Sequence, residues 1–305
     1  MDELAGFDPY DSRMRNKLQK EVLSRVQNEW FTNYEANLPL IRKWGGIEHV
    51  PLAAKFVIVG AGWPLSDGKY AQKGKTMSVK GNLHLLEKVK CPVIVCDKIA
   101  ATAARYVKPF AVTALNTSST DVQTWMENFR KRMDEQWGPD AIKDVWLIVP
   151  VTVNPEALRN WEGKMAFINP ENTCEELIAT VFKETGLEPR ARGDNVGYFS
   201  IIMAITLGAK EITIIGMPYS HPTEDAAMDA TKGRHCVTLY DAILRAYVYT
   251  TFDWIDSRRE LMEVLAKCKE EHGIQFFNCT GAGILYQAGV IEPLMFEEWV
   301  KHSEG

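Results

Sequence analysis

The chain has 305 residues, of which 46% are hydrophobic and 25% are charged. These fractions are typical of a globular protein and exclude a disordered, collagen-like or coiled-coil chain. Its 35 Lys and Arg residues and 40 Asp and Glu residues give a net charge of -5 without a basic block, which argues against general binding to nucleic acid.

The sequence predicts neither a membrane span nor a secretion signal. The longest apolar run, residues 198–207, is interrupted by Ser200 and Thr206, and the acidic amino-terminal residues lack an apolar stretch. The 6 cysteines are scattered without a CxxC pair, which favours free thiols over a zinc site or a disulfide framework. We therefore expect a cytoplasmic protein that does not act on a membrane.

The first 50 residues are predicted to form a helical segment. Apolar residues recur at helical spacing at Leu18, Val22, Val26 and Trp30. The aromatic and aliphatic residues that follow are interpreted as packing onto a core. The chain is thus predicted to divide into an N-terminal helical segment, residues 1–50, and one α/β domain, residues 51–305.

Downstream of Pro51, short apolar runs alternate with amphipathic stretches. The runs predicted as buried strands are FVIVG (56–60), PVIVCD (92–97), FAVTAL (110–115), VWLIV (145–149), MAFI (165–168) and EITIIG (211–216). Helices are predicted between them at about 82–90, 98–107, 120–136, 174–185 and 196–207. The C-terminal part adds predicted helices near 235–252, 257–272 and 293–302 and a strand at 274–277. This alternation predicts right-handed crossovers and a Rossmann-like, mostly parallel sheet with helices on both faces.

Ligands of an open parallel sheet bind beyond the carboxyl ends of its strands, so the loops there contain the candidate residues. After the first strand, Gly60 and Gly62 allow a tight turn whose backbone N–H groups can face a phosphate. A dinucleotide-binding fingerprint would need glycine in place of Leu65, and Gly68 and Gly74 enclose one residue too many for a Walker A loop. The loop is interpreted either as a basic surface loop or as a flap over phosphates.

The next two strands end in polar residues. Asp97 is a candidate ligand for a ribose hydroxyl or Mg²⁺, or a cap of the following helix. Asn116 and Thr117 follow the third strand and supply hydrogen-bonding groups, of which Asn116 is the better functional candidate. These residues extend the predicted site along the edge of the sheet.

The segment 190–222 contains the strongest local pattern. Asp194 or Asn195 is predicted to cap the helix that begins near residue 196, and Gly197 allows a backbone or a ligand to approach closely. The helix dipole then favours an anionic group at this end of the helix.

The loop after the next strand is rich in polar residues. Its candidates for chemistry are His221, Asp225, Asp229, Lys232 and His235. If Asp225 and Asp229 are helical they share a face, which with His235 would suit Mg²⁺ or a general base. The alternative interpretation is a solvated charged loop.

Six segments in order carry a resemblance to a known family. They are FTNYEANLPLI, FVIVGAGWPL, the strand ending in Asp97, TALNT, GDNVGYFSIIMAITLGAKEITIIGM and NCTGAGILY. From about Phe31 to Gly289 the chain resembles the 6-hydroxymethylpterin diphosphokinase MptE-like family, which includes archaeal pterin diphosphokinases and motility accessory factors linked to flagellin glycosylation. The Asn-Val-Gly helix and LGAKEITIIG also resemble bacterial sialyltransferases, whose Rossmann-like domain binds a CMP-sugar. The chain departs from the family at Trp63-Pro64-Leu65, where the family has Gly-Pro-Ser-Leu, and at Pro218, where it has an acid.

With the loop positions, the resemblance implies a Mg²⁺-dependent transferase that moves diphosphate from ATP to a hydroxymethyl acceptor such as 6-hydroxymethyl-7,8-dihydropterin. The expected nucleotide-binding residues are Gly60, Gly62, Asp97, Asn116, Thr117, Asp194, Asn195 and Gly197. The expected catalytic residues are His221, Asp225, Lys232 and His235, and the expected metal ligands are Asp97 and Asp229. The expected partners are a nucleotide, a small-molecule acceptor and, in a homo-oligomer, further copies of the chain.

Two other functions remain open at this point. One is a nucleotide-sugar-dependent glycosyltransferase, with His221 or His235 as base and the same loops around the nucleotide. The other is a non-catalytic nucleotide-binding protein, which the missing acid at Pro218 favours.

Overall fold

The computed structural model describes residues 12–72, 75–79, 81–115, 119–191, 193–231 and 236–303. The strands are β1 (Lys55–Val59), β2 (Gly68–Gln72), β3 (Lys75–Val79), β4 (Val93–Cys96), β5 (Ala111–Thr113), β6 (Trp146–Pro150), β7 (Lys164–Pro170), β8 (Pro189–Arg190), β9 (Glu211–Ile215), β10 (Cys236–Asp241), β11 (Ala246–Thr251), β12 (Gln275–Asn278) and β13 (Glu292–Pro293). The helices are α1 (Ser12–Trp44), α2 (Ala100–Ala103), α3 (Ser119–Trp137), α4 (Glu175–Thr185), α5 (Val196–Thr206), α6 (Glu224–Thr231), α7 (Phe252–His272) and α8 (Phe296–Ser303).

A parallel sheet lies at the centre of the molecule, with helices on both faces. Its nine strands have the order β13-β12-β9-β1-β4-β5-β6-β7-β8, and every neighbouring pair is parallel. Along β1, Phe56 and Ile58 join the core under α5 and α7, whereas Val57 and Val59 join the core under α2 and α3. Because both faces are buried, the strands are continuous apolar runs, and the predicted fold class is confirmed.

The strand order reverses next to β1. The chain runs from β1 outward through β4 to β8, then returns to the opposite side of β1, where β9 pairs with it in the register Val59↔Ile215. The loops that leave β1 and β9 therefore diverge at a topological switch point, where open α/β sheets bind their ligands.

The N-terminal helix α1 packs on the α/β domain rather than apart from it. Tyr34 and Ile41 are buried in the same core as the sheet residues. Asn37 is fully buried, and its Nδ2 donates to the carbonyls of Val151 at 3.1 Å and Val153 at 2.7 Å. Two hydrogen bonds from one buried amide thus fix α1 to the segment that follows β6.

Not all of the predicted helices form. The segment 235–252, predicted as a helix, contains the antiparallel hairpin β10–β11, because its β-branched and aromatic residues alternate along each strand. The side chain of Asp241 accepts the N–H groups of Ile243 at 2.8 Å and Leu244 at 3.1 Å, which stabilises the turn. A second hairpin, β2–β3, occupies most of the segment predicted as a surface loop or a flap.

Two predicted helices are shorter than expected. Residues Leu83–Lys88 form a 3₁₀ helix, and the segment 98–107 keeps one α-helical turn, α2. Both segments lie between closely spaced strands, which leaves little length for a helix to propagate. None of the helices within the described ranges is long and apolar enough to cross a bilayer.

We predict that Asn37→Ala lowers the free energy of unfolding by about 2–4 kcal/mol, because two buried carbonyls lose their donor. Glu35→Ala, on the exposed face of the same helix, should change it by no more than about 0.5 kcal/mol. Urea denaturation of both variants measures the difference. Equal midpoints would show that the Asn37 bonds do not hold the helix in place.

Candidate functional site

A cavity of about 450 Å³ lies at the switch point between β1 and β9. Three segments form its walls: the loop after β1, the loop after β9 and the first turn of α5. The lining residues are Gly60, Ala61, Gly62, Trp63, Cys96, Asn195, Val196, Gly197, Gly216, Met217, Pro218, Tyr219, Ser220, His221 and Trp254. Five of the predicted site residues, Gly60, Gly62, Asn195, Gly197 and His221, are therefore brought together.

The loops after β1 and β9 are bonded to each other at the base of the cavity. The N–H of Gly60 donates to the Ile215 carbonyl at 2.9 Å, and the N–H of Gly62 donates to the Gly216 carbonyl at 2.7 Å. A Cβ on Gly62 would overlap the ring of Pro218, so glycine is required for this approach. The prediction that these two N–H groups face a phosphate is wrong, because both already have acceptors.

The first turn of α5 supplies backbone N–H groups to the cavity. Asn195 is the N-cap, as one of the two sequence alternatives predicted, and its Oδ1 accepts the N–H of Tyr198 at 2.9 Å. The N–H groups of Val196 and Gly197 precede the first intrahelical bonds, and both residues line the cavity. With the positive end of the helix dipole, this geometry is suited to an anion.

A hydrogen-bonded chain holds this turn of α5 against the loop after β9. Ser257 Oγ donates to Asp194 Oδ1 at 2.6 Å, and Asn195 Nδ2 donates to Ser257 Oγ at 2.7 Å and to the Tyr219 hydroxyl at 3.2 Å. Tyr219 has a φ of 51°, a left-handed conformation unusual for a residue with a bulky side chain. Burial raises the pKa of Tyr219, so its hydroxyl remains protonated.

His221 supplies an imidazole to the cavity wall. Its ring stacks on Trp254 with 4.8 Å between the centroids and 18° between the planes, and its backbone pairs with Tyr249. Burial lowers the pKa of His221, so the imidazole is neutral at pH 7. Its Nε2 is buried and has no hydrogen-bond partner among the described residues, and the same is true of the neighbouring Ser220 Oγ.

The acidic candidates do not reach this cavity. Asp97 follows the lining residue Cys96, but it is buried, and its carboxylate accepts the N–H of Lys98 at 2.7 Å. Asp225 and Asp229 are helical, as supposed, yet both are exposed on α6. Asp194 is exposed and bonded to Ser257 beside the cavity.

The described residues do not form a cluster of metal-ligating side chains. Asp97 is buried at the end of β4 and Asp229 is exposed, and the described ranges contain no group of three or more His, Cys, Asp or Glu side chains that could hold a metal. Asn116, Thr117, Lys232 and His235 lie outside the described residues. Because Mg²⁺ is usually held by one or two carboxylates together with substrate phosphates, the Mg²⁺ site stays a prediction.

Sequence reasoning missed the aromatic wall of the cavity. Trp254 lies in the first turn of α7, and Tyr219 lies in the loop after β9. Trp63 Nε1 donates to the Ser220 carbonyl at 2.9 Å and so joins the two loops. In the sequence, Trp63 was noted only as a departure from the first-loop pattern of the family that the chain resembles.

The fold and the cavity define an α/β protein with a ligand site at the switch point of a parallel sheet. No family model matches the chain, and no curated protein matches it. Among solved structures, the MAf glycosyltransferase of Magnetospirillum magneticum AMB-1 is similar, with a TM-score of 0.58 and 14% identity over 84% of this chain. The chain spans 37% of that protein's length, and the likeness shows the fold alone.

We predict that Asn195→Ala lowers the free energy of unfolding by about 1–2 kcal/mol, because the N-cap acceptor is lost. Asn195→Ser keeps an oxygen that can accept the Tyr198 N–H and should retain more of this stability. Thermal denaturation of the two variants tests the comparison. Equal losses for serine and alanine would mean that the capping bond contributes little.

Proposed function

We propose that the chain is a nucleotide-sugar-dependent glycosyltransferase. The observation that carries the proposal is the meeting of a helix N-terminus and a neutral, unpartnered imidazole in one cavity at the switch point. The first can bind the phosphate of a donor, and the second can accept the proton of an acceptor hydroxyl.

The shape and lining of the cavity suit a nucleotide. Its volume of about 450 Å³ falls in the range of roughly 300–1,000 Å³ found for small-molecule sites. Trp63, Tyr219 and Trp254 supply aromatic surface on which a base or a sugar can pack. The N–H groups of Val196 and Gly197 are the available donors for a phosphate.

Glycosyl transfer in this site needs one base and one stabilised leaving group. The acceptor oxygen attacks the anomeric carbon as the bond from that carbon to the phosphate oxygen breaks. His221 takes the proton of the acceptor, and the nucleotide leaves with the electron pair of the broken bond. The dipole of α5 stabilises the charge that develops on the departing phosphate.

The diphosphokinase alternative fits the described residues less well. The substrate of that reaction is a triphosphate, and active sites neutralise its negative charge with metal ions and basic side chains. Here the described residues contain no group of three or more metal-ligating side chains, and Pro218 occupies the place of the acid in the family that the sequence resembles, with its ring packed toward Gly62. The name of the similar structure also agrees with glycosyl transfer.

Nucleotide binding can be tested by thermal stability with CMP, UDP, ATP and CMP- and UDP-sugars. We expect a pyrimidine nucleotide or its sugar to raise the melting temperature, since a ligand at about 100 times its Kd adds roughly 2.7 kcal/mol. Val196→Asp should abolish the shift, because it places a negative charge at the anion site while remaining compatible with the helix dipole. Val196→Thr, the neutral control of similar shape, should keep it.

Identical shifts in both Val196 variants would contradict binding at α5. An ATP-specific shift, with AMP released in the presence of 6-hydroxymethyl-7,8-dihydropterin, would favour the diphosphokinase. Nucleotide binding without release of nucleotide from any sugar donor would favour a non-catalytic protein.

The role of His221 predicts a pH profile. Its neutral form is the base, so the rate of nucleotide release from the bound sugar donor should fall as the pH drops through the pKa of His221 in the donor complex. His221→Asn should remove this acidic limb and slow the reaction about 10²–10⁴-fold. A variant with an unchanged rate and an unchanged pH profile would exclude His221 as the base.

A further inference from the structure

A second cavity, of about 640 Å³, lies between α2 and α3 on the sheet face opposite to α5. We refer to it as the α2–α3 groove. Its polar lining includes Lys98, Arg105, Asn128, Lys131 and Arg132, with Trp125 among the residues of its wall. None of these residues lines the candidate active site.

The groove arises from the helical repeat of α3. Lys131 and Arg132 each lie three or four residues from both Asn128 and Glu135, so these residues share a face of α3. Arg105 lies just beyond α2 and faces the same groove. Meanwhile Phe129 and Met133 turn into the core, which fixes the rotation of α3 and keeps its basic face in the groove.

The charge of the groove is unbalanced. Among the described residues of the lining Glu135 is the one acid, and it pairs with Arg132 at 2.9 Å. Among the described residues no ion pair engages Lys98, Arg105 or Lys131. Cations gathered in a concave site repel one another and attract anions, and they do so here in a chain whose net charge is -5.

Trp125 provides an independent observation. The residue is 6% exposed, and its Nε1 is buried without a hydrogen-bond partner among the described residues. Buried N–H groups normally have an acceptor, and an indole N–H can only donate. An anion in the groove would supply the acceptor that the described residues do not.

We propose that the α2–α3 groove binds a compact polyanion that carries phosphate groups. The concave shape favours a small soluble ligand over the flat surface of a membrane, and the volume is that of a small-molecule site. Arg105 and Arg132 offer planar guanidinium donors, which match phosphate oxygens in pairs. This site is separate from the proposed nucleotide cavity and does not depend on glycosyl transfer.

Titration with tripolyphosphate tests the proposal on the full chain. The double charge reversal Arg105→Glu with Lys131→Glu should weaken binding at least about tenfold, because two attractive contacts become repulsive. Lys90→Glu with Lys183→Glu is the matched control, since both lysines are exposed and outside the groove and the net charge changes equally. Calorimetry at low salt measures the affinities, and binding should weaken as salt is added.

The indole N–H signal of Trp125 in a nitrogen–proton NMR spectrum identifies the site directly. Assigned through the missing peak of Trp125→Phe, it should shift with tripolyphosphate in the wild type and in the control, but not in the groove variant. The same signal separates this site from the N-terminus of α5. A Trp125 signal that does not move in the wild type, or moves equally in the groove variant, would overturn the proposal.

Discussion

The bonded contact between the loops after β1 and β9 is the constraint on which the candidate site depends. Gly62 donates to Gly216 at a distance that leaves no room for a side chain on Gly62 beside Pro218. Because β1 and β9 lie on either side of the switch point, this contact closes the floor of a crevice that would otherwise remain open between them. The loop after β9 then presents Tyr219, Ser220 and His221 to the first turn of α5. Gly62 is needed because a larger residue would not fit in this contact, and its N–H is not available to a phosphate.

The sequence predicted the parallel sheet because strands buried on both faces consist of unbroken apolar runs, a signal that needs no tertiary information. Asn195 was predictable for a similar reason, since a cap depends on the residues of one turn. The hairpin β10–β11 was missed although its residues alternate, because its strands form a separate sheet and do not have the unbroken apolar runs of the central strands. The place of Trp254 could not be predicted either, since this residue of α7 lines the cavity through a contact with His221, 33 residues earlier in the chain.

The acidic candidates show the limit of reasoning from loop position. Asp97 follows β4 and therefore lies at the carboxyl edge of the sheet, as predicted. Its side chain is buried, however, and its carboxylate accepts the N–H of Lys98. The i,i+4 spacing of Asp225 and Asp229 does produce a shared helical face, yet that face is exposed. Spacing along one helix gives relative positions only, and the direction in which the helix packs decides whether a carboxylate meets a ligand.

The described lining of the cavity contains backbone N–H groups that can bind an anion, but it contains no cationic side chain near His221. A lysine or an arginine beside the imidazole would lower the pKa of His221 by repulsion and would also bind the acceptor's own charged groups. In the described cavity, burial lowers the pKa of His221, whose ring stacks on Trp254, without help from a cation. The donor phosphate, once bound, would favour the protonated imidazole, which makes proton transfer from the acceptor easier with the donor in place than without it. In the proposed mechanism, the binding of a nucleotide at α5 would thus be coupled to the basicity of His221.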